Sequence, residues 1–269
     1  TIIQALNDSL NLLDMRKEGS TEYYESLESA QEFITKEFYE KHCDKEQEPV
    51  VCCVGHTHID CAWLWTLKVT EDKSVRSFST VLNLMKEYPE YIFMSSQPQL
   101  YKYVKKNAPQ VYEQIKERVK EGRWETEGGM FVEADCNLAS GEALVRQFMH
   151  GKKFFKDEFE TDNKILWLPD VFGYSAALPQ IMQKCGMTTK ISWNELNKMP
   201  YDTFEWEGID GSRVLTHFIP TRDYNKAAVE GGTETEHFTT YNGFLNPSQM
   251  KGGWARYSQK ELNEEVLCS

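Results

Sequence analysis

The densest run of chemically useful side chains is Gly55-His56-Thr57-His58-Ile59-Asp60, directly after a short apolar run, Val50 to Val54. Residues two apart on an extended segment point the same way, so His58 and Asp60 can aim at one point. Neutral imidazole and carboxylate are ordinary ligands of a divalent ion such as zinc. The same residues can also simply terminate a strand, and an HxH or HxD triplet alone does not choose between the two. His56 is open to three roles: a third ligand, a group behind the ligands, or a packed strand residue.

A second cluster is Trp167-Leu168-Pro169-Asp170-Val171-Phe172-Gly173-Tyr174. Asp170 falls just past an apolar strand, among aromatic neighbours. A carboxylate there suits a nucleophile or a metal ligand, although an Asp at such a junction more often serves as a helix cap or Asx-turn. Polar groups end other strands too: Ser96 with Gln97, Glu127 before Gly128 and Gly129, and Trp193 with Asn194. Glu133 and Asp135 are a further carboxylate pair that can line a sugar site or face solvent. Trp63 offers an aromatic face suited to the apolar side of a sugar ring, and Trp65 reads as packing. His150 and His237 read as surface or packing histidines, His217 as a core histidine, and His42 as a cation at a helix end.

These groups need a scaffold that brings strand ends together. The first 48 residues read as helical, with Tyr23, Leu27, Ala30, Ile34 and Phe38 on one stripe and Ser20 or Thr21 as the cap. Lys45 to Glu48 is a charged linker, so a helical segment 1–48 is expected before a larger domain 49–269. Val50 to Val54 predicts a strand buried on both faces. Further strands are predicted over Tyr91–Ser95, Arg123–Glu127, Lys164–Leu168, Thr189–Trp193 and Arg213–Phe218, with a weaker signal at 203–208. Helices are predicted around Val75–Met85, over 109–121 and 141–158, and up to Cys185, where Gly186 is a natural stop. Residues 223–269 read as a long loop and the start of another element. Strands alternating with helices imply βαβ units and a parallel sheet, either a barrel or an open doubly wound sheet. In both, ligands gather at the carboxyl ends of the strands.

Composition narrows the function class. The 269 residues carry a net charge of −12, with 40% hydrophobic and 27% charged residues. That is a globular chain, and its acidity argues against a nucleic-acid binder. No apolar stretch approaches the roughly 20 residues of a membrane span. Seven cysteines without a CxxC pair point to reduced thiols in a cytoplasmic protein. One sequon, Asn7-Asp8-Ser9, is too short to carry weight.

Taken together, the motifs resemble glycoside hydrolase family 38, the α-mannosidases. Gly55 to Trp65 is similar to that family's metal motif, and Trp167 to Gly173 to its nucleophile motif. The 110 residues between Asp60 and Asp170 match the spacing of its cytosolic-type branch. Gly129–Asp135, Ser140-Gly141-Glu142, Arg146-Gln147-Phe148, Phe204–Val214, Tyr241-Asn242-Gly243 and Asn246–Gln249 extend the resemblance along nearly the whole chain.

The resemblance implies an α/β fold, a parallel β/α barrel of seven strands, incomplete here and preceded by the short helical segment. It implies hydrolysis of terminal α-mannosides in oligosaccharides with retention of configuration. One divalent ion is implied, Zn2+ first and Co2+ as the alternative, with His58, Asp60 and Asp170 as ligands. Asp170 would also be the nucleophile. Trp63, Phe172 and Trp193 would bind substrate, with Lys190 and Ser192 a looser match on the same strand end. The family's acid/base and its fourth metal ligand fall beyond residue 269. The chain therefore reads as an internal piece of a larger enzyme, inactive by itself, with a homo-oligomeric parent left open. The rival readings are a metal-dependent deacetylase or amidohydrolase on a related barrel, and a non-catalytic sugar-binding module.

Overall fold

The computed structural model describes residues 2–42, 50–192, 201–219, 247–258 and 265–268. The chain divides into two compact units, Thr1–Val50 and Val51–Ser269.

The first unit holds α1 (Ile2–Leu10) and α2 (Thr21–Ile34), which runs on through a π-helical turn, Thr35–Tyr39, into a last turn α3 (Glu40–His42). Ser20 caps α2 by accepting a hydrogen bond from the Tyr23 N–H at 3.2 Å. The helical stripe is only partly covered: Ala30 is buried, whereas Leu27 is exposed. Two short helices enclose too little volume to cover a whole apolar face.

The second unit alternates strands and helices. Its strands are β1 (Val50–Cys53), β2 (Gly55–His56), β3 (Phe93–Met94), β4 (Trp124–Glu125), β5 (Ile165–Leu168), β6 (Thr189–Ser192), β7 (Thr203–Glu207), β8 (Arg213–Phe218) and β9 (Glu265–Cys268). Its helices are α4 (Leu67–Glu87), α5 (Pro98–Asn107), α6 (Pro109–Lys120), α7 (Gly141–Phe159), α8 (Leu178–Lys184) and α9 (Pro247–Arg256). β2, β3 and β4 pair in parallel, with Gly55 opposite Phe93 and Phe93 opposite Trp124. β5, β6 and β8 also pair in parallel, and β7 lies antiparallel on β8. Among the described residues one isolated parallel bridge, Gly128 to Leu166, links the two groups. Gly128 has φ +121°, and a Cβ there would sit 2.7 Å from the Ser96 Cβ. Only glycine allows both that backbone and that approach.

Helices α4 to α7 cover the first strand group with an aromatic core. Phe78, Phe93, Tyr101, Trp124 and Phe155 are fully buried there, with edge-on ring contacts such as Phe93–Trp124 at 4.7 Å. The Trp124 indole N–H donates to the Tyr101 hydroxyl at 2.8 Å, which donates to the Ser95 carbonyl at 2.8 Å. A second core joins Phe148, Leu166, Leu168, Leu178, Met182 and Val214.

Parallel strands joined by helices match the sequence pattern, with several differences in detail. The paired segments after Tyr91 and Arg123 shrink to two residues each. Helix α5 starts at Pro98, whose fixed φ suits the first helical position, and is an addition to the helices expected from the sequence. The 203–208 signal is a strand, but an antiparallel one. The largest correction concerns Val50–Val54. Val50 is 49% exposed, and Cys52 and Cys53 are also exposed. Among the described residues β1 pairs only with β9, so its faces lack the cover that a central strand receives. In the predicted loop after residue 222, residues 247–256 form α9, and residues 220–246 lie outside the described residues.

Candidate metal centre

Strands that run in parallel deliver their carboxyl ends to one rim. His58 and Asp60 follow β2, Ser96 and Gln97 follow β3, Glu133 lies in the loop after β4, and Asp170 follows β5. Four successive chain crossings therefore meet at one place. Gly128 and Gly129, with φ +121° and +71°, turn the chain sharply after β4 and carry Glu133 back toward the rim.

His58 stands at the centre. Its Nε2 lies 3.2 Å from Asp60 Oδ1 and 3.4 Å from Asp170 Oδ2, and its Nδ1 lies 3.2 Å from Glu133 Oε2. Burial draws the His58 pKa down. Glu133 on one side, with Asp60 and Asp170 on the other, outweighs it and raises the value to about 9. Three carboxylates around one buried imidazole make a point that favours positive charge.

Among the described residues, two groups of three side chains bring their donor atoms within 4.8 Å of one another: His58, Asp60 and Asp170; and His56, His58 and Glu133. A tetrahedral ion with ligand bonds of about 2.0–2.1 Å has ligand–ligand edges of about 3.3–3.4 Å. The 3.2 and 3.4 Å separations about His58 Nε2 fit that figure, and one nitrogen with two carboxylates is a normal donor set for zinc. The residues present fit a divalent ion.

The His56 group fits less well. A carbonyl can only accept, so His56 Nδ1, 3.2 Å from the Met94 carbonyl, carries the proton. His56 Nε2 accepts the Trp167 indole N–H at 3.4 Å. Both ring nitrogens are engaged, and an ion at Nε2 would face that N–H. Burial lowers the His56 pKa, which keeps the ring neutral. His56 thus ties β2 to β3 and β5. Access also separates the groups. The Asp60 and Asp170 side chains are 33% and 18% exposed, against 6% for Glu133, so only the first group opens to a ligand.

Gln97 holds the loops together. It is buried and has φ +62°, one of two non-glycine residues with positive φ among the described residues. Its Nε2 donates to the Ile59 carbonyl at 2.9 Å, and its Oε1 accepts the Glu133 N–H at 3.3 Å. Neighbouring Ser96 donates from Oγ to Glu133 Oε1 at 2.6 Å.

The other sequence candidates fall in different places. Trp63 is 62% exposed and meets Trp65 edge-on at 5.0 Å, while Phe172 is 78% exposed. Both are open aromatic faces close along the chain to Asp60 and Asp170. Trp65 packs, its indole N–H on Thr70 Oγ1 at 3.0 Å. Lys190 is buried with Nζ 3.5 Å from the centre of the Tyr174 ring and near Trp206 and Phe218. Trp193 and His237 lie outside the described residues. Asp135 serves its own turn, accepting from the N–H groups of Asn137 and Leu138. Glu133 is the site residue that sequence reasoning noted and did not assign. The Glu133/Asp135 pair marked the loop, but nothing in the sequence says which carboxylate turns inward.

Residues 48–269 match the glycosyl hydrolases family 38 N-terminal domain. Alpha-mannosidase G of Dictyostelium discoideum is 49% identical over 201 residues, covering 73% of this chain and 18% of that protein. Human alpha-mannosidase 2C1 is 48% identical over 195 residues, covering 71% of this chain and 19% of that protein. The chain thus spans about a fifth of the length of these curated relatives. The crystal structure of an alpha-mannosidase from Enterococcus faecalis V583 shares the fold, with a TM-score of 0.66 at 20% identity, covering 82% of this chain and 24% of that one.

Proposed function

The chain belongs to glycosyl hydrolase family 38, and from that premise we propose that it supplies the N-terminal catalytic domain of a retaining α-mannosidase acting on terminal α-mannosides of oligosaccharides. The observation that carries this reading is the convergence of His58, Asp60 and Asp170 on one rim, with donor atoms within 4.8 Å of one another. A divalent ion bound there, Zn2+ or alternatively Co2+, would be held by these three side chains and would supply a Lewis-acid anchor for sugar hydroxyls.

Asp170 is the proposed nucleophile. Its carboxylate attacks the anomeric carbon as the glycosidic C–O bond breaks, giving a mannosyl ester on Asp170. The leaving oxygen takes its proton from a second carboxyl group, which the family resemblance puts outside residues 1–269. Water then attacks the anomeric carbon from the other face, gives its proton to that second group, and releases Asp170. Two inversions return the starting configuration. Trp63 and Phe172 present open rings for the apolar faces of sugar units, and Trp193 is a proposed third substrate contact. In this reading the unit Val51–Ser269 forms part of a β/α barrel and the 269-residue chain does not turn over mannosides alone. Five free cysteines among the described residues support a reducing, cytoplasmic setting. Among the described residues no helix is long and apolar enough to cross a membrane.

The test is hydrolysis of an aryl α-mannoside by the full-length protein that carries this chain, with proton NMR of the first-formed sugar. Release of the α-anomer that disappears with Asp170→Ala is expected. Release of the β-anomer first, or full turnover by Asp170→Ala, would overturn the assignment.

A further inference from the structure

Among the described residues Glu133 touches, of the groups assigned to the reaction, only His58, and it meets that ring at Nδ1 while Asp60 and Asp170 face Nε2. Its side chain is 6% exposed, and Oε2 lies 3.2 Å from His58 Nδ1. Its other oxygen accepts the Ser96 hydroxyl at 2.6 Å. Its backbone N–H is held by Gln97 Oε1 at 3.3 Å, and the same amide grips the Ile59 carbonyl, between His58 and Asp60, at 2.9 Å. Glu133 is therefore held at one carboxylate oxygen by Ser96 and at its backbone by Gln97 before it meets the ring. A carboxylate is an acceptor only, so it favours a proton on Nδ1 and leaves the Nε2 lone pair toward Asp60 and Asp170.

We propose that Ser96 and Glu133 form a positioning relay that fixes the tautomer and ring angle of His58, so that Nε2 alone is presented to the cation. The relay rests on the metal reading above. Glu133 is not itself a ligand: its partners in the alternative group are His56, whose two nitrogens are engaged by the Met94 carbonyl and the Trp167 indole, and His58 Nδ1, the ring nitrogen on the opposite side from Asp60 and Asp170. A carboxylate behind a metal-binding imidazole raises the basicity of the ring and fixes its orientation, and loss of such a partner commonly costs about 10–100-fold in metal affinity.

The experiment compares wild type, Glu133→Gln, Ser96→Ala and Asp60→Asn in the full chain. Zn2+ affinity is read by competition with a chromophoric chelator, and the His58 ring by two-dimensional nitrogen–proton NMR of the zinc-loaded protein. Wild type should show the proton on Nδ1. Glu133→Gln should bind Zn2+ about 10–100-fold more weakly and lose the single-tautomer pattern, because an amide can turn its NH2 toward Nδ1. Ser96→Ala should show a smaller loss in the same direction, and it carries the test if Glu133→Gln does not fold. Unchanged affinity and an unchanged ring pattern in both variants, with zinc lost in Asp60→Asn, would overturn the relay and leave the metal site standing. Zinc lost in Glu133→Gln but kept in Asp60→Asn would make Glu133 a ligand and overturn it in another way. A wild type that binds no Zn2+ would remove both the metal reading and the relay.

Discussion

Gln97 gives the sharpest stability prediction, because two effects of opposite sign meet in one residue. Its amide bonds the Ile59 carbonyl at 2.9 Å and the Glu133 N–H at 3.3 Å, and the residue is buried with φ +62°. Gln97→Ala removes both bonds and leaves a carbonyl and an N–H without protein partners. Each such group costs about 1–3 kcal/mol when fully buried. The second bond is long, and water can enter the space left by the amide, so a total near the lower end, about 2 kcal/mol, is expected. Alanine must also hold a left-handed backbone, at about 1 kcal/mol. Gln97→Gly loses the same bonds but not that strain, less an entropic cost of about 0.5–1 kcal/mol in the unfolded chain. The glycine variant should therefore be the more stable of the two by up to about 0.5 kcal/mol. Urea unfolding at matched slopes reads both numbers. Zinc affinity should fall in both variants, since the His58–Asp60 loop loses its tie to the Glu133 loop. An alanine variant as stable as wild type would refute the argument that this amide holds the rim together. A glycine variant less stable than alanine by more than about 1 kcal/mol would refute the strain.

Two further predictions concern buried polar groups. Tyr101→Phe removes one hydroxyl and leaves two groups without it, the Trp124 indole N–H and the Ser95 carbonyl. The expected loss is about 2–4 kcal/mol by chemical denaturation; a loss under about 1 kcal/mol would mean that water replaces the hydroxyl. Burial lowers the Lys190 pKa to about 7, against about 10.4 in an unfolded chain. Between those values the unfolded state binds more protons, so stability should rise with pH across that window. Lys190→Met should remove that rise, and an identical pH–stability profile in both proteins would show that the three aromatic rings keep the ammonium charged.

Much of the rim was legible in the sequence because it depends on simple periodicity. His58 and Asp60 share a face through spacing alone, and Asp170 was marked by the end of an apolar strand. The roles of Glu133 and Gln97 were not legible. Gly128 and Gly129, through their positive φ, decide that Glu133 points inward while Asp135 caps its own turn, and that is a matter of three-dimensional path. Gln97 in a left-handed conformation has no sequence signature, since glycine or asparagine is the expected occupant. The apolar run Val50–Val54 misled for the opposite reason. Hydrophobic composition tells that a strand can be buried, but neighbours on both faces decide whether it is. The antiparallel direction of β7 was likewise fixed by pairing with β8 and not by its own residues.

In the proposed mechanism Asp170 forms the covalent bond to the sugar. The most direct measurement is peptide mapping by mass spectrometry after treating the full-length protein with a fluorinated α-mannosyl fluoride, which forms the ester quickly and loses it slowly. One mannosyl adduct is expected, on the peptide containing Trp167 to Tyr174 and localised to Asp170, absent when Asp170 is replaced by alanine. An adduct on another carboxylate, or rapid inactivation with no adduct on Asp170, would contradict it.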